Sequence, residues 1–212
     1  MADLADACGT AMPSDGMRAT DGVRLDLYQA KGFDRGRPAW IEAIWLLLQP
    51  VLVTSPLSCS LVRRLALRLM GAHIGRGVTI KGGVRVKFPW RLRVGDHCWI
   101  GQDAWLDNLA EIIIGNHCCL SQGVYLCTGS HDWASTSFDL MVKSIVLEDQ
   151  VWLAAHSVIG PGVVARRGAV LALGSVATAE LSPWHIHRGN PAFPFRPRAI
   201  RSSKGKAAQP ET

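Results

Sequence analysis

From Ile74 onward an aliphatic side chain recurs at every sixth position in three successive units: 74, 80 and 86; 94, 100 and 106; 114, 120 and 126. A smaller residue follows four places later, as at Val78, Val84, Cys98, Ala104, Cys118 and Val124. Displaced by 20 residues the chain matches itself, with Ile74-Gly75, Val94-Gly95 and Ile114-Gly115 in one column, which is an internal repeat. The hexads resume at Leu147 and continue through Leu153, Ile159, Ala165, Leu171 and Ala177 with an 18-residue period. Val151, Ser157, Val163, Ala169, Ser175 and Leu181 take the small positions there. One aliphatic and one small inward residue in six suits a short strand and a tight turn, three of which close a triangular coil. The glycines that follow the aliphatic residue (Gly75, Gly95, Gly101, Gly115 and Gly160) are expected to free turn conformations that a Cβ would hinder. Such a coil buries its faces only by stacking, so five or more coils are expected, with an all-β fold.

The aliphatic column is interrupted once. Leu147 follows Ile114 by 33 residues, 13 more than a coil, and the surplus falls between about Asp132 and Ser144. An insertion of that size is an excursion loop, and loops on rigid scaffolds carry sites. His131 stands at its root. Upstream the pattern is helical. Trp40–Val53 is apolar over 14 residues but broken by Glu42, Gln49 and Pro50, and spanning a bilayer takes about 20. It reads as an amphipathic helix packed on the main domain, or one lying on a membrane surface with Trp40, Trp45 and the arginines at 35, 37, 63, 64 and 68. Leu61, Leu65 and Leu69 mark a second helix from about Ser58 to Met70, stopped by Gly71. The organisation read from the sequence is a disordered leader over 1–27, a helical extension over 28–70, the β domain over 71–195 and a basic tail over 196–212.

Composition narrows the class. Hydrophobic residues are 48% and charged residues 19% of 212, so a sizeable core is available, and 21 glycines argue against a helical bundle. Of the +6 formal charge the chain beyond Pro183 carries +5, and no aromatic and basic platform accompanies it, so nucleic acid is not an expected partner. The six cysteines form no CxxC pair, which favours free thiols in a cytoplasmic compartment. Met1–Thr20 has three aspartates and no apolar core, unlike a signal peptide.

The Ile/Leu/Val-Gly-x-x-small-x pattern resembles the hexapeptide-repeat family over residues 71–195, which implies a left-handed parallel β-helix. Thr128-Gly129-Ser130-His131-Asp132, the loop and the following IVLEDQVWLAAHSVIGPGV are similar to the sugar O-acetyltransferase branch. The longer string from Trp99 to Leu140, with the upstream LRLMGAHIG, resembles acetyltransferases of colanic acid biosynthesis in bacterial polysaccharide clusters. The resemblance implies acetyl-CoA as co-substrate, a sugar or glycan acceptor, a homotrimer with sites between subunits, no metal, and His131 as catalytic base. It also implies acceptor contacts from Asp107 and Asn108, whose alternative role is a corner turn held by its own hydrogen bonds, and from Trp152 beside the active site. Asp132 joins them as a group that orients the imidazole or merely caps the loop turn. For the cofactor it implies Ala154, Ala155, Leu173, Gly174, Ser175 and Thr178 in the late coils, then Gly189, Asn190, Pro191 and Arg196 in the GNPA segment. Arg166, Arg167 and Arg188 are further candidates for its phosphates. Leu173 stands where the family has Gly or Ala.

The chemistry suits a histidine: a sugar hydroxyl is a poor nucleophile, and neutral imidazole, with an ordinary pKa of about 6.5, can take its proton. Two other classes share the fold. A γ-carbonic-anhydrase-like metalloenzyme needs two histidines five apart, and none of the seven here are so spaced, although His97 and His117 stack one coil apart. A non-catalytic β-helix scaffold is the other; His131, the loop and the GNPA segment argue against it.

Overall fold

The computed structural model describes residues 22–30 and 32–200; most of the expected leader, with Cys8, and most of the basic tail lie outside the described residues. The chain divides into two units, one of Asp34–Ser130 with Met141–Thr212 and one of Met1–Phe33 with His131–Leu140.

The larger unit is a parallel β-solenoid, and its three faces are the three hexad positions of each coil. One face stacks His73–Ile74, Leu92–Val94, Ile112–Ile114, Ile145–Leu147 and Val164–Ala165. The second stacks Thr79–Ile80, Trp99–Ile100, Cys119–Leu120, Trp152–Leu153 and Val170–Leu171, then the hairpin His185–Gly189 and Ala192–Pro197. The third stacks Arg85–Val86, Trp105–Asp107, Tyr125–Cys127, Val158–Ile159 and Val176–Ala177. Register follows the columns, with Ile80 opposite Ile100, Ile100 opposite Leu120 and Leu120 opposite Leu153. These aliphatic residues and the small residues four places on are buried in one core. The hairpin carries the β structure to Pro197, past the expected domain end at 195.

The hexad glycines have a different physical reason from the one expected. Gly75, Gly95, Gly101, Gly115 and Gly160 are not among the positive-φ residues; in the first column those are Gly77, His97, His117, Gln150 and Gly168, each three places after the column's aliphatic residue. What Gly75, Gly95 and Gly115 permit is close approach. A Cβ on Gly75 would lie 2.6 Å from the carbonyl carbon of Gly95, and one on Gly95 would lie 2.8 Å from that of Gly115.

The two extra residues of each early coil sit at the corner after the third face. There Asn108 Oδ1 accepts the Phe88 N–H (2.9 Å) and its Nδ2 donates to the Phe88 carbonyl (2.7 Å). One coil on, Thr128 Oγ1 donates to the Asp107 carbonyl (2.9 Å) and accepts the Ala110 N–H (2.9 Å). Both side chains are fully buried, so the corner's backbone groups are satisfied without water.

Helices cover the first coil. Helix α1 spans Ala39–Gln49, where Pro50 ends regular α geometry, and one π turn follows over Pro50–Thr54; helix α2 spans Ser60–Leu69. Gly71, at φ +98°, turns the chain out of α2 as expected. Buried Trp45 donates its indole N–H to the Val86 carbonyl (2.7 Å), and Gln49 Oε1 accepts the Val86 N–H (2.6 Å). Buried Arg63 donates to the carbonyls of Val53, Ile80 and Ser55. The edge that the first coil would leave open is thereby paired, which a solenoid end requires. Packing on the main domain is thus realised for the inner side of α1.

At the other end His187 is buried in the last coil, and its Nε2 accepts the Ser182 N–H (3.1 Å). Burial first, with a smaller contribution from His185, holds the His187 pKa below the ordinary value, so the folded state keeps this ring neutral. Its stabilising effect is therefore complete above the unfolded pKa of about 6.5 and is lost as pH falls below it, where the unfolded chain binds the extra proton. Melting temperature should fall between about pH 7 and pH 5, and His187→Gln should flatten that slope, as calorimetry across the range will show.

The smaller unit includes a single 3₁₀ turn at Leu25–Leu27, inside the stretch expected to be a disordered leader, and the Arg24 N–H donates to the Thr136 carbonyl (2.7 Å). Five described cysteines, at 59, 98, 118, 119 and 127, are free thiols.

Candidate active site

His131 ends the strand Gly129–His131, which pairs with Leu140–Val142 where the inserted loop leaves and rejoins the coil. The loop is folded on itself. The Asp132 N–H donates to the Asp139 carbonyl (2.8 Å), and the Asp139 carboxylate accepts from the hydroxyls of Ser135 (2.9 Å) and Ser137 (2.8 Å). Phe138, at φ +51°, turns its carbonyl onto His131 Nδ1 at 2.8 Å, and the two rings stack at 4.3 Å. A carbonyl only accepts, so Nδ1 carries the proton and the neutral ring presents its lone pair at Nε2. Tyr28 tilts against the same imidazole at 5.6 Å between ring centroids. Neither Phe138 nor Tyr28 was picked out from the sequence. The signal for Phe138 is its unfavourable left-handed backbone, which no residue pattern advertises.

Asp132 takes the turn-capping role, its Oδ1 accepting the Ala134 N–H (3.0 Å), while the position beside Nδ1 belongs to the Phe138 carbonyl. Asn108 likewise spends both side-chain atoms on Phe88 and is fully buried, so the acceptor contact the resemblance implies for its side chain gives way to a backbone clamp.

Asp107 ends the third-face strand Trp105–Asp107 and holds a polar cluster. Tyr125 donates its hydroxyl to Asp107 Oδ2 (3.3 Å), and Lys87 Nζ lies 3.4 Å from Oδ1. That lysine contact is an ion pair without hydrogen-bond geometry, so buried Oδ1 keeps an unused acceptor site. Burial, then Cys127 and the Asp107 charge, push the Tyr125 pKa well up, so its hydroxyl stays a donor. Lys87 and Tyr125 were not singled out in the sequence, although Lys87 lies one 20-residue coil before Asp107. Trp152 is exposed on the second face, donating its indole N–H to Ser121 Oγ (3.1 Å), and so does not share a face with Asp107.

The late-coil residues form a connected line. Gly174 donates its N–H to the Ala155 carbonyl (3.0 Å), and Ser175 Oγ accepts the Gly189 N–H (3.0 Å), which joins the coil corner to the Gly189-Asn190-Pro191 turn. Ser175 is buried and acts as that tie. Ala154 is buried, Ala155 half-buried, and Leu173, Gly174, Asn190 and Pro191 are exposed. Thr178 is exposed at the next corner along the chain. Arg188 and Arg196 flank the Phe195 ring, at 3.6 and 5.7 Å, with their charge outward on the hairpin. Arg166 is committed elsewhere, to Glu148 (3.0 Å) and Glu180 (2.7 Å), which takes it from the phosphate candidates. His97 and His117 do stack, at 5.3 Å, but no cluster of three or more metal-ligating side chains occurs among the described residues.

A hexad solenoid with a histidine-bearing excursion loop defines a class: the chain belongs to the hexapeptide-repeat acetyltransferases. Within that class it is 39% identical over 168 residues to WcaF of Escherichia coli (strain K12), assigned as a colanic acid biosynthesis acetyltransferase, a match covering 79% of this chain and 92% of the relative. The hexapeptide-repeat containing acetyltransferase VCA0836 of Vibrio cholerae superposes with a TM-score of 0.70 at 25% identity, over 76% of this chain and 93% of that one. The same Vibrio protein complexed with acetyl coenzyme A superposes with a TM-score of 0.73 at 24% identity, over 82% of this chain and 97% of that one. No family model matches the chain.

Proposed function

We propose that this protein transfers the acetyl group of acetyl-CoA to a hydroxyl of a sugar in an exopolysaccharide, capsule or related glycoconjugate, with His131 as general base. The observation that carries the reading is the Phe138 carbonyl on His131 Nδ1, which leaves Nε2 as the proton acceptor. Acetyl-CoA supplies a thioester carbonyl open to attack. Nε2 takes the proton of the acceptor hydroxyl as its oxygen bonds to that carbonyl carbon, and returns it to the thiolate sulfur as the C–S bond breaks. The identity to the colanic acid relative supports a polysaccharide sugar as acceptor, and the complex of the Vibrio neighbour supports the donor. Free thiols fit a reducing, cytoplasmic setting.

The cofactor arm is assigned to the line from Ala154 and Ala155 through Leu173, Gly174 and Thr178 to Gly189, Asn190 and Pro191, with Arg196 toward the phosphates. Asp107, with its unused buried oxygen, and Trp152 are assigned to the acceptor. They stand on different faces of one solenoid, and a homotrimer with sites between subunits would bring one face of each of two copies together. Purified protein should release free thiol from acetyl-CoA only when a true acceptor is present. A panel of sugars, nucleotide sugars and lipid-linked glycans, read by thiol release and by the mass of one added acetyl group, tests this. Release that no glycan stimulates, with no acetylated product, would overturn it.

A further inference from the structure

We infer that the outer side of α1 and α2 docks on an anionic phospholipid surface. The inner side of α1 is spent on the first coil through Trp45 and Gln49, as α2's is through Arg63, Ala66 and Leu67. The outer side is just as apolar. Eleven large apolar side chains between Trp40 and Leu69 are a third or more exposed, far more than the scattered single residues of an ordinary surface. They are ordered: Trp40, Ile44, Leu47 and Val51 follow one helical stripe, and Leu61, Leu65 and Leu69 another, with Leu69 at 86% and Leu57, between the helices, at 95% exposure.

Charge selects the occupant. Of the five arginines in residues 34–72, Arg63 is buried against the first coil and Arg35 is paired with Glu42, which leaves Arg37, Arg64 and Arg68, the last also donating to the Ile74 and Gly75 carbonyls, against Asp34. Arg64 and Arg68 each immediately precede a leucine of the second stripe, and Arg37 precedes α1 by two residues. Apolar stripes bordered by arginines, with a tryptophan at one end, are the pattern of helices that lie in the headgroup region. A second copy laid on the same face would set arginine against arginine. No helix among the described residues is long and apolar enough to cross a membrane, so the contact is peripheral.

The test is co-sedimentation of the full chain with vesicles of phosphatidylcholine alone or with added phosphatidylglycerol, beside its mass in solution by light scattering. The chain should bind the phosphatidylglycerol vesicles, and binding should weaken from about 0.05 to about 0.5 M salt. Leu47→Glu with Leu61→Glu, both on exposed positions, should lower binding at least about tenfold, with unchanged circular dichroism and solution mass. Arg64→Gln with Arg37→Gln should reduce the preference for phosphatidylglycerol. Absence of sedimentation with either vesicle, or variants that bind like the parent, overturns the inference. A drop in solution mass on the glutamate substitutions overturns it in favour of a second copy.

Discussion

Replacing His131 by alanine is expected to lower kcat for acetyl transfer by about 10²–10⁴ while the far-ultraviolet spectrum and melting temperature stay close to those of the parent. The side chain is only part-buried and lies in the loop, outside the aliphatic columns that hold the solenoid core, so little stability rests on it. The loss should be one of chemistry: without Nε2 nothing at this position takes the hydroxyl proton as the oxygen attacks. His131→Gln keeps bulk and polarity but no comparable base, and should fall as far. Asp132→Asn makes the comparison specific. Its carboxylate caps the turn at Ala134, a role asparagine fills equally well, and the proton on Nδ1 is held by the Phe138 carbonyl instead. That variant should keep kcat within about threefold of the parent. Undiminished turnover in His131→Ala would overturn the assigned mechanism, and a collapse in Asp132→Asn would move the orienting role to the carboxylate.

The second large effect is on stability. Gly95→Ala places a methyl group 2.8 Å from the Gly115 carbonyl carbon and 2.6 Å from Asn116 Oδ1, which itself accepts the Asp96 N–H (2.8 Å). Relief requires adjacent coils to separate at a corner where Gly75, Gly95 and Gly115 are stacked, and the strands on either side are hydrogen-bonded in register. We expect a loss of about 3 kcal/mol, near the upper end for overpacking, and a melting temperature roughly 6–12 °C lower for a chain of this size. Gly160→Ala is the control. Its added Cβ would find nothing nearer than the Ala177 carbonyl oxygen at 3.3 Å, so its cost should stay below about 1 kcal/mol. Equal effects from the two variants would mean that glycine matters here for backbone freedom and not for the spacing of coils.

That contrast shows where sequence reasoning stops. A six-residue repeat of aliphatic and small residues is visible in one dimension because each column is a periodic set, and most of the core from Ile74 to Ala177 follows it, Leu92, Ile112 and Ile145 being additions two places before the first column. The loop was visible as a break in that period, and His131 as the residue at its root. The glycines were visible as positions but not by cause: whether a missing Cβ serves φ or the approach of the next coil depends on an atom 20 residues away. Asn108 and Ser175 entered as site residues through the family resemblance, and nothing in the sequence records that their side chains are used elsewhere. Only the fold shows that Phe88 and Gly189 use those groups first.

From its sequence alone this protein has a coiled β architecture, three inward columns, a helical cap and a histidine on an excursion, because hydrophobic burial imposes periodicity and periodicity can be read. Tertiary structure alone decided which carbonyl holds the histidine's proton, which arginines are free, and which side of the two helices remains uncovered. Those outcomes depend on hydrogen bonds and contacts between residues far apart in the chain, and nothing in the local pattern records them.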